Sequence, residues 1–168
     1  MQTRRLNADE WRPWKELRLR ALAEAPYAFG STHAETLTHP DEMWRQRTES
    51  AALSDEVAIY VAIDDDDRWV GCAGGLRDED DPDSVQVITV WTDPAVRGKG
   101  VSRALMADVL AWARTTGTPR LRLWVTETNE PAVRLYESLG YQRTGRRQPL
   151  PSDPTLMEME MDQPIGAG

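Results

Sequence analysis

Residues 87–105, VITVWTDPAVRGKGVSRAL, limit the fold more than any other part of the chain. They complete a β-branched run, VQVITVWT (85–92), of the kind that suits a pleated, half-buried strand. Pro94 ends that run. From Val101 the period changes, and Val101, Leu105, Val109 and Trp112 share one face of a helix that extends to Gly117. LRLWV (121–125) then reads as another strand. Strand, helix and strand in direct succession predict an α/β unit rather than an all-β or all-helical fold.

Before this unit the strands come as a meander. Residues 3–6 read as a first strand, and Asn7 with Glu10 has the spacing of a capping box. The helix it would open carries Trp11, Trp14, Leu17 and Ala21 at helical spacing to about residue 24, with Pro13 tolerated in its first turn. APYAFGST (25–32) reads as a loop, and HPDEMWRQRTES (39–50) as a helix starting near Pro40. EVAIYVAI (56–63) and WVGCAGGL (69–76) form a hairpin around the acidic turn DDDDR, and DEDDPD (78–83) is a second acidic turn. NEPAVRLYESLG (129–140) is a helix stopped by glycine, and YQRTGR (141–146) and LMEMEM (156–161) are closing strands. The expectation is a mixed α/β sheet with helices on both faces, one domain over residues 1–161, and a flexible tail over 162–168.

Composition removes several functional classes. The 168 residues carry a formal net charge of −8, which argues against nucleic acid as a partner. No apolar run is long enough to span a membrane, and MQTRRLNADEW lacks the apolar stretch of a secretory signal. Cys72 is the single cysteine, which rules out an internal disulfide and predicts a reducing, cytoplasmic setting. With two histidines beside it, His33 and His39, no metal site is expected.

Against that acidic background, Arg97, Lys99 and Arg103 gather around Gly98 and Gly100 at a helix start. Glycines leave the backbone open to a ligand, and the amides and dipole of a helix N-terminus attract an anion. The P-loop pattern G-x-x-x-x-G-K-[ST] is not met, and the third glycine of G-x-G-x-x-G falls on Arg103. A lone G-x-G is equally well a plain turn between strand and helix.

A second stretch, TNEPAVRLYESLGY (128–141), places Asn129 at a helix start and Tyr136 two turns along the same helix. Together the two stretches resemble the GCN5-related N-acetyltransferase superfamily. Its signature is [Q/R]-x-x-G-x-[G/A] after a splayed strand, then an N…A…LYE-x-LGF/Y segment. Here the first reads Arg97-Gly98-Lys99-Gly100-Val101-Ser102 after Thr92-Asp93-Pro94. The second reads Asn129, Ala132, Leu135-Tyr136-Glu137 and Leu139-Gly140-Tyr141. Ser102 departs from the usual small Gly or Ala and is expected to crowd the loop slightly.

The resemblance implies a central mixed, mostly antiparallel sheet of about seven strands, flanked on both faces by about four helices. The strands 85–92 and 121–125 would be a splayed parallel pair. It implies direct acetyl transfer from acetyl-CoA to a primary amine, with no acyl-enzyme, since no cysteine falls in either motif. The amides of Gly98 to Arg103, thus of Lys99, Gly100, Val101 and Ser102 too, would bind the pyrophosphate beside Arg97. Val90 and Thr92 would pair with the pantetheine arm, Asn129 would contact it, and the amide of Trp91 or Thr92 would polarise the thioester carbonyl. Tyr136 would protonate the departing thiolate as general acid. Homodimers are common in such proteins. The alternative is an acyl-CoA sensor without turnover.

The proton acceptor is less legible, because Trp124 stands where some members of the family carry a glutamate. Glu35 and Glu127 are the remaining candidates, each equally well an ordinary solvated or helix-start carboxylate. Tyr27, Phe29 and Trp44 either line the acceptor pocket or fill the core. The acidic turns are most simply solvated, or they attract a cationic acceptor such as a polyamine, an aminoglycoside or a lysine-rich peptide. Loops 25–40, 77–84 and 146–155 would set which amine is used.

Overall fold

The computed structural model describes residues 1–166. Its strands are β1 (Gln2–Arg5), β2 (Val57–Ile63), β3 (Trp69–Arg77), β4 (Ser84–Thr92), β5 (Arg120–Thr126), β6 (Gln142–Leu150) and β7 (Asp153–Pro164). Its helices are α1 (Trp11–Glu24), α2 (His33–Leu37), α3 (Asp41–Leu53), α4 (Val101–Thr115) and α5 (Glu130–Ser138). One seven-stranded sheet runs β1-β2-β3-β4-β5-β7-β6, and every pairing is antiparallel except β4 with β5. This is the mixed sheet expected from the sequence.

The central strands alternate between two cores, as their near-continuous apolar runs require. Ile59, Val61, Ile63 and Cys72 join Trp14, Leu17, Leu22 and Trp44 on the α1/α3 face. Ala58, Ala62, Val70 and Ala73 join Leu105, Val109 and Trp112 on the α4 face. Small residues on that second face let α4 lie close. A Cβ on Gly75 would stand 2.6 Å from the Trp112 ring, and one on Gly71 would stand 3.2 Å from Leu105 Cδ1.

Several boundaries differ from the sequence reading. Helix α1 begins at Trp11, because Glu10 does not fold its side chain into a complete capping box. One Glu10 oxygen accepts from the Asn7 amide (2.9 Å), but both oxygens also hold the Arg4 guanidinium (2.6 and 2.9 Å), and the Asn7 side chain caps nothing. The loop after α1 contains an extra helix, α2, made possible by a full capping box between Thr32 and Glu35. β7 runs past residue 161 to Pro164, pairing Arg120 with Pro164, and the Ile165 amide donates to Pro119 O (2.7 Å). Of the expected tail, residues 167 and 168 lie outside the described residues.

The acidic turns are not simply solvated. Asp64 accepts from the amides of Asp66 (3.0 Å) and Arg68 (2.9 Å) and pairs with the Arg68 guanidinium, closing its own turn. Asp78 contacts Arg122, while Asp81 binds Arg120 (2.8 Å). Arg122 also reaches Glu160 on β7 (3.4 Å). These pairs clamp the 78–83 turn to the start of β5, where the parallel pairing lies. No helix among the described residues is long and apolar enough to cross a membrane.

Gly75→Ala tests the close approach of α4. The Trp112 ring is buried and must shift to admit the methyl group, so we expect a loss of about 1–3 kcal/mol of stability. Urea unfolding measures it, and an unchanged midpoint would show that the α4 face tolerates a methyl group.

Candidate functional site

β4 and β5 pair through three rungs, Ser84–Arg120, Val85–Leu121 and Gln86–Arg122, and then diverge. The divergence coincides with an irregularity in the β3–β4 ladder and with Thr89, whose φ of 55° is left-handed in a non-glycine residue. The resulting cleft holds about 490 Å³. Val90 and Thr92 line one wall, Trp124 and Thr126 the other. The loop 97–103 and α5 close one end, and Ala25, Tyr27 and Ala28 close the other.

The Asp93 amide donates to Val70 O on β3 (2.8 Å). By strand alternation the backbone groups of Thr92 therefore face the gap, and those of Trp91 face β3. That corrects one expectation: an amide aimed into the cleft belongs to Thr92 or Val90, not to Trp91. The Trp91 indole instead donates to Glu24 Oε2 (2.9 Å).

The glycine loop has the geometry an anion needs. Gly98 (φ 76°) and Gly100 (φ 82°) are left-handed, and a Cβ on either would meet nothing within 4 Å. Glycine is thus required by the backbone angle, and the space beside it is open. Gly100 O accepts from Ala104 (3.0 Å), so Val101, Ser102 and Arg103 present their amides ahead of the first helical turn. Lys99 departs from the expectation. Its amide donates to Val96 O (3.3 Å) and the residue does not line the cleft.

The loop's cations are braced rather than free. Arg97 Nε donates to Thr92 O (3.1 Å) and its Nη2 binds Glu24 (2.6 Å). Burial pushes the Glu24 carboxyl up, but the Trp91 indole and the Arg97 guanidinium outweigh it and hold the group below the usual range. Arg103 donates to Ser138 Oγ (2.9 Å), tying α4 to α5. The Ser102 hydroxyl turns toward Thr92 Oγ1 (3.3 Å) and away from the loop, so the expected crowding is absent.

Asn129 and Tyr136 do come together at the cleft. Asn129 caps α5, its Oδ1 accepting from Ala132 (3.4 Å). Tyr136 packs its ring against Tyr141 (centroids 5.8 Å apart), and burial drives its hydroxyl pKa well above the ordinary phenol value. Among the described residues that hydroxyl has no hydrogen-bond partner. The ring is buried while the hydroxyl reaches the cleft, a donor that stays protonated.

Other predicted residues lie elsewhere. Glu35 is the capping-box carboxylate of α2 and is exposed, away from the cleft. Glu127 holds Arg147 with both oxygens, and this pairing keeps its pKa low, which suits a proton acceptor poorly. Phe29 and Trp44 are buried in the α1/α3 core, and Tyr27 lines the cleft. Cys72 is fully buried and its thiol is pushed up to about 11, so it is no nucleophile.

Two residues were not read from the sequence. Arg18 on α1 reaches Thr89 Oγ1 (3.1 Å). Glu158, opposite Thr126 in the β5–β7 register, is buried, and its carboxyl is raised by burial and partly lowered by the Gln148 amide. The Met–Glu alternation of β7 signals that Glu158 and Glu160 share a face, but not that this face is covered.

The sequence model of the acetyltransferase (GNAT) family matches residues 11–141. A mycothiol acetyltransferase from Brachybacterium faecium is 32% identical over 135 residues, covering 79% of this chain and 38% of that protein. The chain thus spans less than half the length of such relatives. A GNAT-family acetyltransferase structure from Streptococcus pneumoniae superimposes with a TM-score of 0.84 at 18% identity, covering 98% of this chain and 99% of that one. The Salmonella typhimurium protein yncA with its cofactor acetyl-CoA gives 0.80 at 19% identity, covering 99% and 94%. At these identities the structures speak for the fold.

Gly100→Ala isolates the backbone requirement of the loop. With open space around the added methyl, the cost is that of a left-handed alanine, about 1 kcal/mol. Denaturant unfolding checks it; no loss would mean that the loop relaxes to another conformation.

Proposed function

The chain belongs to the acetyltransferase (GNAT) family, and from that premise we propose that it transfers the acetyl group of acetyl-CoA directly to a primary amine. The observation that carries the reading is the meeting of an open, left-handed glycine loop and a tyrosine whose buried ring brings an unpartnered hydroxyl to one gap between two strands. Acetyl-CoA, when bound, supplies the activated acetyl group as a thioester. The reading takes one catalytic domain, acting in the cytoplasm.

The parts divide the work by position. Amides of Gly98, Gly100, Val101, Ser102 and Arg103 receive the pyrophosphate, helped by the dipole of α4. Backbone groups of Val90 and Thr92, left unpaired where β5 departs, hydrogen-bond an extended arm as another strand would. Their amides also face the charge that develops on the carbonyl oxygen. The Thr92 carbonyl is already engaged by Arg97, so the amide is the group left to serve. Asn129 keeps its cap and turns its amide nitrogen toward the arm. Tyr136 delivers its proton to sulfur as the C–S bond breaks. Its raised pKa keeps it protonated throughout the working pH range, so the acidic limb of the pH profile arises from another group.

For that group we propose Glu158, acting through water. It is buried, pairs with no cation, and sits one strand from Thr126 on the cleft wall. A base must be ionised to accept a proton. Its raised pKa therefore places the acidic limb above the range of an ordinary glutamate, with activity rising as pH increases through it. The Tyr136 hydroxyl favours an enzyme over a sensor, since a cofactor-binding module has no use for a proton donor at the sulfur.

Tyr136→Phe is expected to lower kcat by about 10²-fold with the acetyl-CoA Kd unchanged. Thiol release and calorimetric titration measure the two, and undiminished turnover would remove Tyr136 from the chemistry. Glu158→Gln is expected to abolish the acidic limb of kcat/KM along with most of the rate. A retained limb would assign it to a different group.

A further inference from the structure

Arg18 is a half-buried guanidinium without an acidic partner. Among the described residues no carboxylate lies within 4.0 Å of it, and its one hydrogen bond runs from Nη1 to the Thr89 hydroxyl (3.1 Å). The Phe29 ring lies under it, 4.5 Å from Cζ. Other part-buried arginines hold acidic or carbonyl partners. Arg4 holds both oxygens of Glu10, Arg5 reaches the carbonyls of Ala51, Ser54 and Val57, and Arg122 meets Asp78 and Glu160. Burial draws the pKa of Arg18 down with no carboxylate to offset it. A cation over an aromatic ring recovers part of that cost, and the rest of the guanidinium fork, not sealed from solvent, has no protein acceptor among the described residues.

Its position gives the vacancy a meaning. Thr89 is the left-handed residue beside Val90, and Phe29 follows Ala28; Val90 and Ala28 both line the cleft. β4 is a central strand, yet Thr89, which Arg18 reaches from α1, is only partly buried, so the sheet is not sealed on the α1 side at this point. The glycine loop and Tyr136 come from α4 and α5 on the other side. Arg18 therefore borders the side from which an acceptor must approach.

Among the described residues no carboxylate lines the cleft, and three carboxylates of the acidic turns are held by arginines. Asp64 is held by Arg68, Asp78 by Arg122 and Asp81 by Arg120. Arg18, beside the cleft rather than in its lining, is a cation that no carboxylate among the described residues offsets. It is also single: a phosphomonoester would bring nearly two negative charges to one cation, whereas a carboxylate matches its charge and its planar fork.

We propose that Arg18 binds a carboxylate carried by the acceptor, so that the amine acetylated belongs to an amino acid or to a small peptide-like molecule with a free carboxylate. Polyamines and aminoglycosides, which lack that group, are poor acceptors. The inference rests on the acetyltransferase reading and narrows its acceptor.

The test compares acceptors in matched pairs, each amino acid or short peptide against its own carboxamide, with a polyamine and an aminoglycoside alongside. Thiol release from acetyl-CoA is measured on the whole chain. The free acid is expected to exceed its amide by about 10- to 100-fold in kcat/KM, the effect of one charge-assisted hydrogen-bonded pair. Arg18→Met, which keeps the apolar stem on Phe29, should erase that preference with acetyl-CoA affinity unchanged; Arg18→Lys should restore part of it. Equal use of acid and amide, a preference for the polyamine, or silence of every carboxylate-bearing amine while acetyl-CoA binds would overturn the assignment of Arg18. Failure to bind acetyl-CoA at all would instead sink the transferase reading beneath it.

Discussion

The site depends on a parallel pairing that stops early. β4 and β5 are hydrogen-bonded partners for three residues each and then part, leaving main-chain donors and acceptors in the middle of a sheet without partners. Buried backbone polar groups are almost always satisfied, so such an edge calls for a ligand or water to complete it. The ion pairs of Arg120 and Arg122 with Asp78 and Asp81 hold the start of both strands together and so define where the parting begins. On the far wall, β5 stays fixed because β7 pairs along its whole length, from Arg120–Pro164 to Thr126–Glu158. The gap is therefore a rigid wedge between two well-supported strands, rather than a frayed edge.

Charge is organised around that wedge in a way net charge conceals. The chain is acidic overall, yet carboxylates near the cleft are mostly occupied with arginines: Glu24 with Arg97, Glu127 with Arg147, Asp81 with Arg120. What faces the cleft is positive in character. Free amides at the start of α4 provide it, and Arg18 lies beside the cleft against Thr89 and Phe29. Local geometry outweighs a global excess of eight negative charges because exposed charges are screened within about 10 Å, whereas amides and a half-buried guanidinium act at contact distance.

Some of this was legible in residues close together in sequence. Gly98 and Gly100 had to be glycines because their φ values are left-handed, and helix capping by Asn129 with Tyr136 two turns on is a property of one helix. The readings that failed concerned residues whose partners lie far away. Glu127 was one open candidate until β6 brought Arg147 against it, and for Trp44 pocket and core stood side by side until α3 packed it on α1. Glu35 failed for a local reason, since the T-x-x-E capping box at Thr32 is itself a sequence pattern. Arg18 carried no signal at all. An arginine among the polar positions of an amphipathic helix is unremarkable until Thr89 and Phe29 are seen to enclose it.

By itself, then, the sequence determined which segments alternate with period two and which with period 3.6, where glycine was obligatory, and that residues of the loop and of α5 belong at helix starts and on one helix. Those properties follow from backbone stereochemistry and from contacts within a few residues. Only the tertiary structure decided which charges are neutralised, which aromatic rings are core, and which backbone groups of β4 face an open gap. Each of these depends on burial and on partners from distant segments, and a one-residue change of register would have reversed it.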